Sequence, residues 1–157
     1  MRIIAHRALL EGPDAQLQNH PVQIQRALGL GYDVEIDLWL VDGKWMLGHD
    51  EPEHEITWKV LEDPRLWIHC KNMAALHHLR GLGSQQNFFW HENDLVTLTS
   101  KFIIWTYFGK PETKHHMAVC VMPEVTYPWD DVVDMAKADA WYGMCTDYPE
   151  RLRECLA

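Results

Sequence analysis

Short apolar runs alternate with longer stretches of mixed polarity along the whole chain. Runs of four to eight apolar or β-branched residues read as strands, and apolar positions recurring every three to four residues read as helices. This pattern predicts strands near 2–6, 33–39, 66–70, 87–91, 102–106, 118–122 and 141–146, and helices near 21–30, 55–62, 72–81, 129–138 and 149–156. Pro21, Pro128 and Pro149 stand where a helix can begin, because the first turn has no use for the missing N–H. Asp42-Gly43 is a strong hairpin dipeptide, so 45–48 is expected to be a side ribbon on the second strand. Strands alternating with helices predict an α/β fold with mostly parallel strands. A full (β/α)₈ barrel has eight strands and about 250 residues. Seven strands in 157 residues predict one domain, 1–157, folded as a compact or incomplete TIM-type barrel of about seven to eight strands. The connection between the strands ending at His91 and starting at Phe102 leaves room for little more than one helical turn.

Composition narrows the partners. The chain is 47% hydrophobic and 24% charged, as globular domains are. A net charge of −9 without a basic stripe argues against nucleic acid. It does not exclude a phosphate ligand, since the field inside a site can oppose the global one. No run approaches the ~20 apolar residues of a membrane span. Arg2 leads into an apolar run too short for a secretory leader, so the cytoplasm is the expected compartment. Cys70, Cys120, Cys145 and Cys155 lack metal-ligand spacing and are expected to be free thiols, three of them inside strands. The adjacent pairs His77-His78 and His115-His116 are expected to be solvated. No pattern in the sequence specifies an oligomeric state.

The candidate chemistry gathers at the ends of predicted strands. His6-Arg7 closes the first apolar run, and Glu35 and Asp37 share one face of the second strand because side chains alternate with period two. Two neighbouring carboxylates repel unless a cation lies between them, and hard oxygen donors suit Mg²⁺, Ca²⁺ or Mn²⁺. His49 follows one hairpin later and, with His6, can exchange protons near pH 7. Arg7 can grip phosphate oxygens in a fork. His69 and Lys71 share a face at the end of the next strand, with Cys70 turned away. These parts suit metal-assisted cleavage of a phosphodiester.

The ordered motifs resemble the glycerophosphodiester phosphodiesterase family, within the superfamily that includes phosphatidylinositol-specific phospholipase C. The run Ile3-Ile4-Ala5-His6-Arg7-Ala8 is similar to the family's first strand and its His-Arg-Gly. Gln18-Asn19 corresponds to the Pro-Glu-Asn element, Glu35-Ile36-Asp37 to Glu-x-Asp, and Asp42-Gly43 with His49-Asp50 to the turn and His-Asp that follow. At the far end, Gly143 to Pro149 is similar to the last barrel strand and the Thr-Asp-x-Pro after it. The match is strong over 1–52, moderate over 138–157 and only in outline between. Three positions depart: Ala8 for Gly, Gln18 for Glu, and His69 where the family's third strand carries a metal-binding carboxylate.

The resemblance implies a barrel with its site at the C-terminal strand ends, His6 and His49 as acid and base, and Arg7 and Lys71 on the substrate phosphate. It places a divalent metal on Glu35 and Asp37. His69 is expected to join them and to draw the preference toward Mn²⁺ or Zn²⁺. His91, Trp105 and Glu124 are further candidates for the same pocket. The substrate implied is a small glycerophosphodiester-like or sugar-phosphate-like molecule. Two other readings use the same residues: a barrel that binds a phosphorylated ligand without turnover, and a Zn²⁺ or Mn²⁺ hydrolase of another ester.

Overall fold

The computed structural model describes residues 1–81, 85–107 and 113–157. Its frame is one curled sheet, a half-barrel with helices on its convex side. The strands are β1 (Arg2–Ala5), β2 (Asp33–Val41), β3 (Lys44–Leu47), β4 (His54–Ile56), β5 (Leu66–Cys70), β6 (Asn87–Phe89), β7 (Val96–Leu98), β8 (Ile104–Tyr107), β9 (Ala118–Val121) and β10 (Gly143–Thr146). The helices are α1 (Pro21–Gly29), α2 (Trp58–Leu61), α3 (Met73–Gly81), α4 (Trp129–Lys137) and α5 (Pro149–Leu156).

The sheet runs β4-β3-β2-β1-β10-β9-β8-β7, with β5 and β6 joined along β2. Parallel ladders connect β6, β5, β2, β1, β10, β9 and β8 in turn. Antiparallel ladders add β3 and β4 on one side and β7 on the other. The expectation of a mostly parallel barrel is therefore corrected: the sheet is mixed and does not close. The reason lies in the short connection after β6. It forms not a helical turn but β7, which runs antiparallel along β8, from Val96 opposite Thr106 to Leu98 opposite Ile104. Among the described residues no ladder joins β6 to β7. The two are tied instead by the Thr97 hydroxyl donating to the Trp90 carbonyl at 2.9 Å and the Ser100 N–H donating to the Phe88 carbonyl at 2.7 Å.

Period-two alternation sorts the strand residues between two apolar layers. Ile4, Trp67, Phe89, Trp105, Val119, Val121 and Cys145 point to the concave side and fill it from below. Ala5, Val34, Ile36, Leu38, Ile68 and Cys70 point outward against α1 and α3. Ala118, Cys120 and Met144 do the same against α4 and α5. Pro21 and Pro149 open their helices, and Pro128 immediately precedes Trp129. The helix expected over 55–62 is a single turn after the edge strand β4, because β4 extends the hairpin ribbon. Cys70, Cys120 and Cys145 are buried free thiols and Cys155 an exposed one. Burial pushes the Cys70 and Cys120 thiols up to about 12, so neither is a ready nucleophile. Among the described residues no helix is long and apolar enough to cross a membrane.

Candidate active site

The concave face changes character toward the C-terminal ends of the parallel strands. On β2 the alternation that sends Val34, Ile36 and Leu38 outward puts Glu35 and Asp37 inside, both buried. On β5 it puts His69 directly beside Asp37 in register. These side chains, with His6, Arg7, His49, His91 and Trp105, surround a pocket of about 230 Å³. That is room for one small head group.

The first strand delivers two of these residues by an abrupt bend. Arg7 (φ 49°) and Ala8 (φ 63°) both adopt the left-handed conformation, which costs an L-residue about 1–2 kcal/mol each. Glycine is the residue for which this conformation is free, and Ala8 adopts it without that freedom. The bend aims the Arg7 N–H at Glu35 Oε2, 2.9 Å away, and its guanidinium at Gln18 Oε1, 3.1 Å, and Asp37 Oδ2, 3.4 Å. His49 is placed by another bend. The Gly48 N–H donates to the Asp37 carbonyl (3.2 Å), and the Trp39 indole donates to the Gly48 carbonyl (2.6 Å). A Cβ on Gly48 would overlap the Glu51 carbonyl, so only glycine lets this loop fold back.

His6 and His49 each have a carboxylate partner. His6 Nδ1 is 2.7 Å from Asp147 Oδ1, and its Nε2 is 3.9 Å from Glu35 Oε2. His49 Nδ1 is 2.7 Å from Asp50 Oδ1. In both, a carboxylate holds the proton on Nδ1 and leaves Nε2 for chemistry. Their surroundings differ. Burial lowers the His6 pKa, but the bond to Asp147 and the charge of Glu35 outweigh it and the net shift is upward. His49 is shifted down by burial and by the positive charges of Arg7 and Lys71, against the opposing pull of Asp37.

Asp37 is the hub. Asn19 embraces it, donating Nδ2–H to Oδ2 at 2.9 Å and accepting its backbone N–H at 2.9 Å. His69 Nδ1 lies 3.0 Å from Oδ1 and Lys71 Nζ 3.7 Å from the same oxygen. Burial alone would raise the Asp37 pKa, but the His69 bond and the charges of His69, Arg7 and Lys71 hold it well below the ordinary value. Glu35 is raised, by burial and by the charge of Asp37. The pair thus prefers to keep one negative charge on Asp37 and shed the other unless more positive charge enters.

Glu35, Asp37 and His69 place one donor atom each within 4.8 Å of one another. The tautomer of His69 fits a ligand role. Its Nε2 faces the His91 carbonyl at 3.2 Å, a pure acceptor, so Nε2 carries a proton. Nδ1 then presents either a lone pair or a second proton to Asp37. A lone pair facing a carboxylate across 3.0 Å is relieved by a cation between them, and a backbone carbonyl holding the far nitrogen is the usual support for an imidazole ligand. The donor set of two carboxylates and one imidazole therefore suits a divalent metal. His91 stacks on His69 with centroids 4.5 Å apart and an interplanar angle of 1°. Burial, with the nearby His69 and Lys71, pushes its pKa down to about 4, so it enters the pocket neutral.

Of the further candidates, only Glu124 sits differently. Trp105 lines the pocket as its buried floor, packed on Trp67 and Phe89. Glu124 does not face the pocket; it accepts from the Thr146 hydroxyl and the Asp147 N–H, behind His6. Three residues of the site have no role legible in the sequence: Asn19, Asp50 and Asp147. They stand inside the motifs Gln18-Asn19, His49-Asp50 and Thr146-Asp147, and the groups that Asn19 and Asp147 meet belong to segments distant in the chain. No family model matches the chain, and no curated protein matches it.

Proposed function

We propose that the protein is a metal-assisted phosphodiesterase acting on a small phosphodiester, related to the glycerophosphodiester phosphodiesterases, its half-barrel being a reduced version of their barrel. One observation carries this reading: His6, Arg7, Glu35, Asp37, His49 and His69, scattered over 64 positions of sequence, surround a single pocket at one end of the parallel strands. Glu35, Asp37 and His69 would hold the divalent ion, Mn²⁺ or Zn²⁺ more readily than Mg²⁺ or Ca²⁺ because of the imidazole. When bound, such an ion supplies Lewis-acid polarisation of a phosphoryl oxygen.

The chain's own groups account for the rest. Arg7 and Lys71 attract the phosphate and stabilise charge that grows on its oxygens in the transition state. One of His6 and His49 takes the proton from the attacking hydroxyl as its oxygen bonds to phosphorus. The other gives a proton to the leaving alkoxide as the ester P–O bond breaks. Asp147 and Asp50 keep both rings turned so that Nε2 faces the pocket. If the attacking hydroxyl belongs to the substrate the product is a cyclic phosphate; if it is water, a monoester.

Turnover of bis-p-nitrophenyl phosphate across a metal series tests the reading, with ³¹P NMR on a glycerophosphodiester to identify the product. A second reading, a phosphate-binding half-barrel without turnover, is favoured by the four cationic or hydrogen-bonding side chains already directed at Asp37, those of Asn19, Arg7, His69 and Lys71. Thermal stabilisation by phosphate with no hydrolysis under any metal would select it over the first.

A further inference from the structure

Glu124 has no place in the pocket, yet it is held in a costly arrangement. After β9 the chain turns through Met122 in the left-handed conformation (φ 52°) and a single 3₁₀ turn, Pro123–Val125. This carries Glu124 beneath the end of β10. There Oε1 accepts two hydrogen bonds, from the Thr146 hydroxyl at 2.6 Å and from the Asp147 N–H at 3.0 Å. The Thr146 oxygen in turn accepts the Tyr148 N–H at 3.1 Å. The other oxygen, Oε2, is buried with no partner among the described residues. A desolvated, half-satisfied carboxylate destabilises a fold. A group kept on those terms is explained by what its satisfied oxygen does.

That oxygen holds the residue that holds His6. Asp147 lies just past the last strand pair, Ala5 opposite Thr146, so the sheet offers its N–H no partner. Its carboxylate grips His6 Nδ1 at 2.7 Å, and its carbonyl accepts the Gly12 N–H at 2.9 Å. We infer that Glu124 is a positioning residue: it clamps the backbone of Asp147 and the Thr146 hydroxyl so that the Asp147 carboxylate stands where it fixes the ring of His6. The inference rests on the phosphodiesterase reading for its kinetic consequence, but not for its structural one.

Without Oε1, the buried Thr146 hydroxyl and Asp147 N–H must find other partners, and Asp147 shifts. A misplacement of about 1 Å at a reacting group costs on the order of 10²-fold in rate. Phosphate binding by Arg7 and Lys71 is untouched. Glu124→Ala is therefore expected to lower kcat by about 10- to 100-fold with KM changed less than about 2-fold. Glu124→Gln keeps an acceptor oxygen in place and is expected to recover most of kcat. Thr146→Val removes one of the two bonds and serves as the milder variant if Glu124→Ala folds poorly; its kcat should fall less.

The direct readout is the proton on His6 Nδ1. In a short bond to a carboxylate it resonates far downfield in the ¹H NMR spectrum, and His6→Asn assigns it. It should be present in wild type and Glu124→Gln, and shifted or lost in Glu124→Ala and Thr146→Val. A folded Glu124→Ala with an unmoved resonance overturns the inference, as does one whose KM rises while kcat holds. A resonance that moves as expected, in a protein that hydrolyses no phosphodiester, sustains the positioning role and removes the phosphodiesterase reading instead.

Discussion

Asp37→Asn is the perturbation whose size follows most directly from the geometry. The carboxylate is 1% exposed and faces Arg7 at 3.4 Å, His69 at 3.0 Å and Lys71 at 3.7 Å, with Asn19 on its far oxygen. Asparagine keeps the size, and its carbonyl can still accept from Asn19, but its NH₂ then points at Lys71 and His69. Removing one partner of a buried ion pair costs about 3–5 kcal/mol, and the retained Asn19 bond puts this change near the lower end. For a chain of this length each kcal/mol moves Tm by about 2–4 °C, so a drop of roughly 6–12 °C is expected in the presence of chelator. The effect should shrink in acid. The folded pKa of Asp37 lies below the ordinary value of 3.8, so its stabilisation is complete above that value and is lost as pH falls beneath it. The second arm adds Mn²⁺. At 100 times Kd a bound ion stabilises the wild type by about 2.7 kcal/mol, a rise of roughly 5–11 °C that the variant should lack. Differential scanning calorimetry reads both arms. A variant melting within about 2 °C of wild type in chelator refutes the hub role of Asp37, and an equal Mn²⁺-induced rise in both proteins removes Asp37 from the metal set.

His6→Asn and His49→Asn should each lower kcat by about 10²–10⁴-fold, the more exposed His49 with Tm little changed, and steady-state kinetics showing near-wild-type turnover would exclude that histidine from proton transfer. His69→Glu should shift the metal activity profile toward Mg²⁺ or Ca²⁺; an unchanged profile with weaker substrate binding would place His69 against substrate rather than metal. Glu124→Gln should gain stability over wild type as pH rises. Burial raises the Glu124 pKa above its ordinary 4.5, so wild type loses stability as pH climbs from there through the folded value, and glutamine does not. Thermal melts from pH 4 to 7 should show the gap widening, and a gap constant with pH would mean that the carboxyl is not desolvated.

Much of the site could be read from local pattern because strands impose it locally. Glu35 and Asp37 had to share a face, and Ile36 had to leave it, whatever the strand paired with. The same rule separated His69 and Lys71 from Cys70. The prolines at 21, 128 and 149 marked helix starts for an equally local reason, a ring that suits only the first turn. What no local rule contains is the partner of each group. Asp147 meets His6 across 141 positions, and Asn19 reaches Asp37 from a left-handed residue (φ 55°) whose N–H is tied back to the Arg7 carbonyl at 2.8 Å. Glu124 looked like one more pocket carboxylate until a left-handed Met122 turned it behind β10. The stretch after β6 likewise carried too few residues to declare itself. Whether it became a helical turn or the antiparallel β7 was decided by the free edge of β8, and with it whether the sheet would close. Chemistry in this chain is written by residue type and period; alignment is set by contacts between segments far apart in sequence, which only the folded chain brings together.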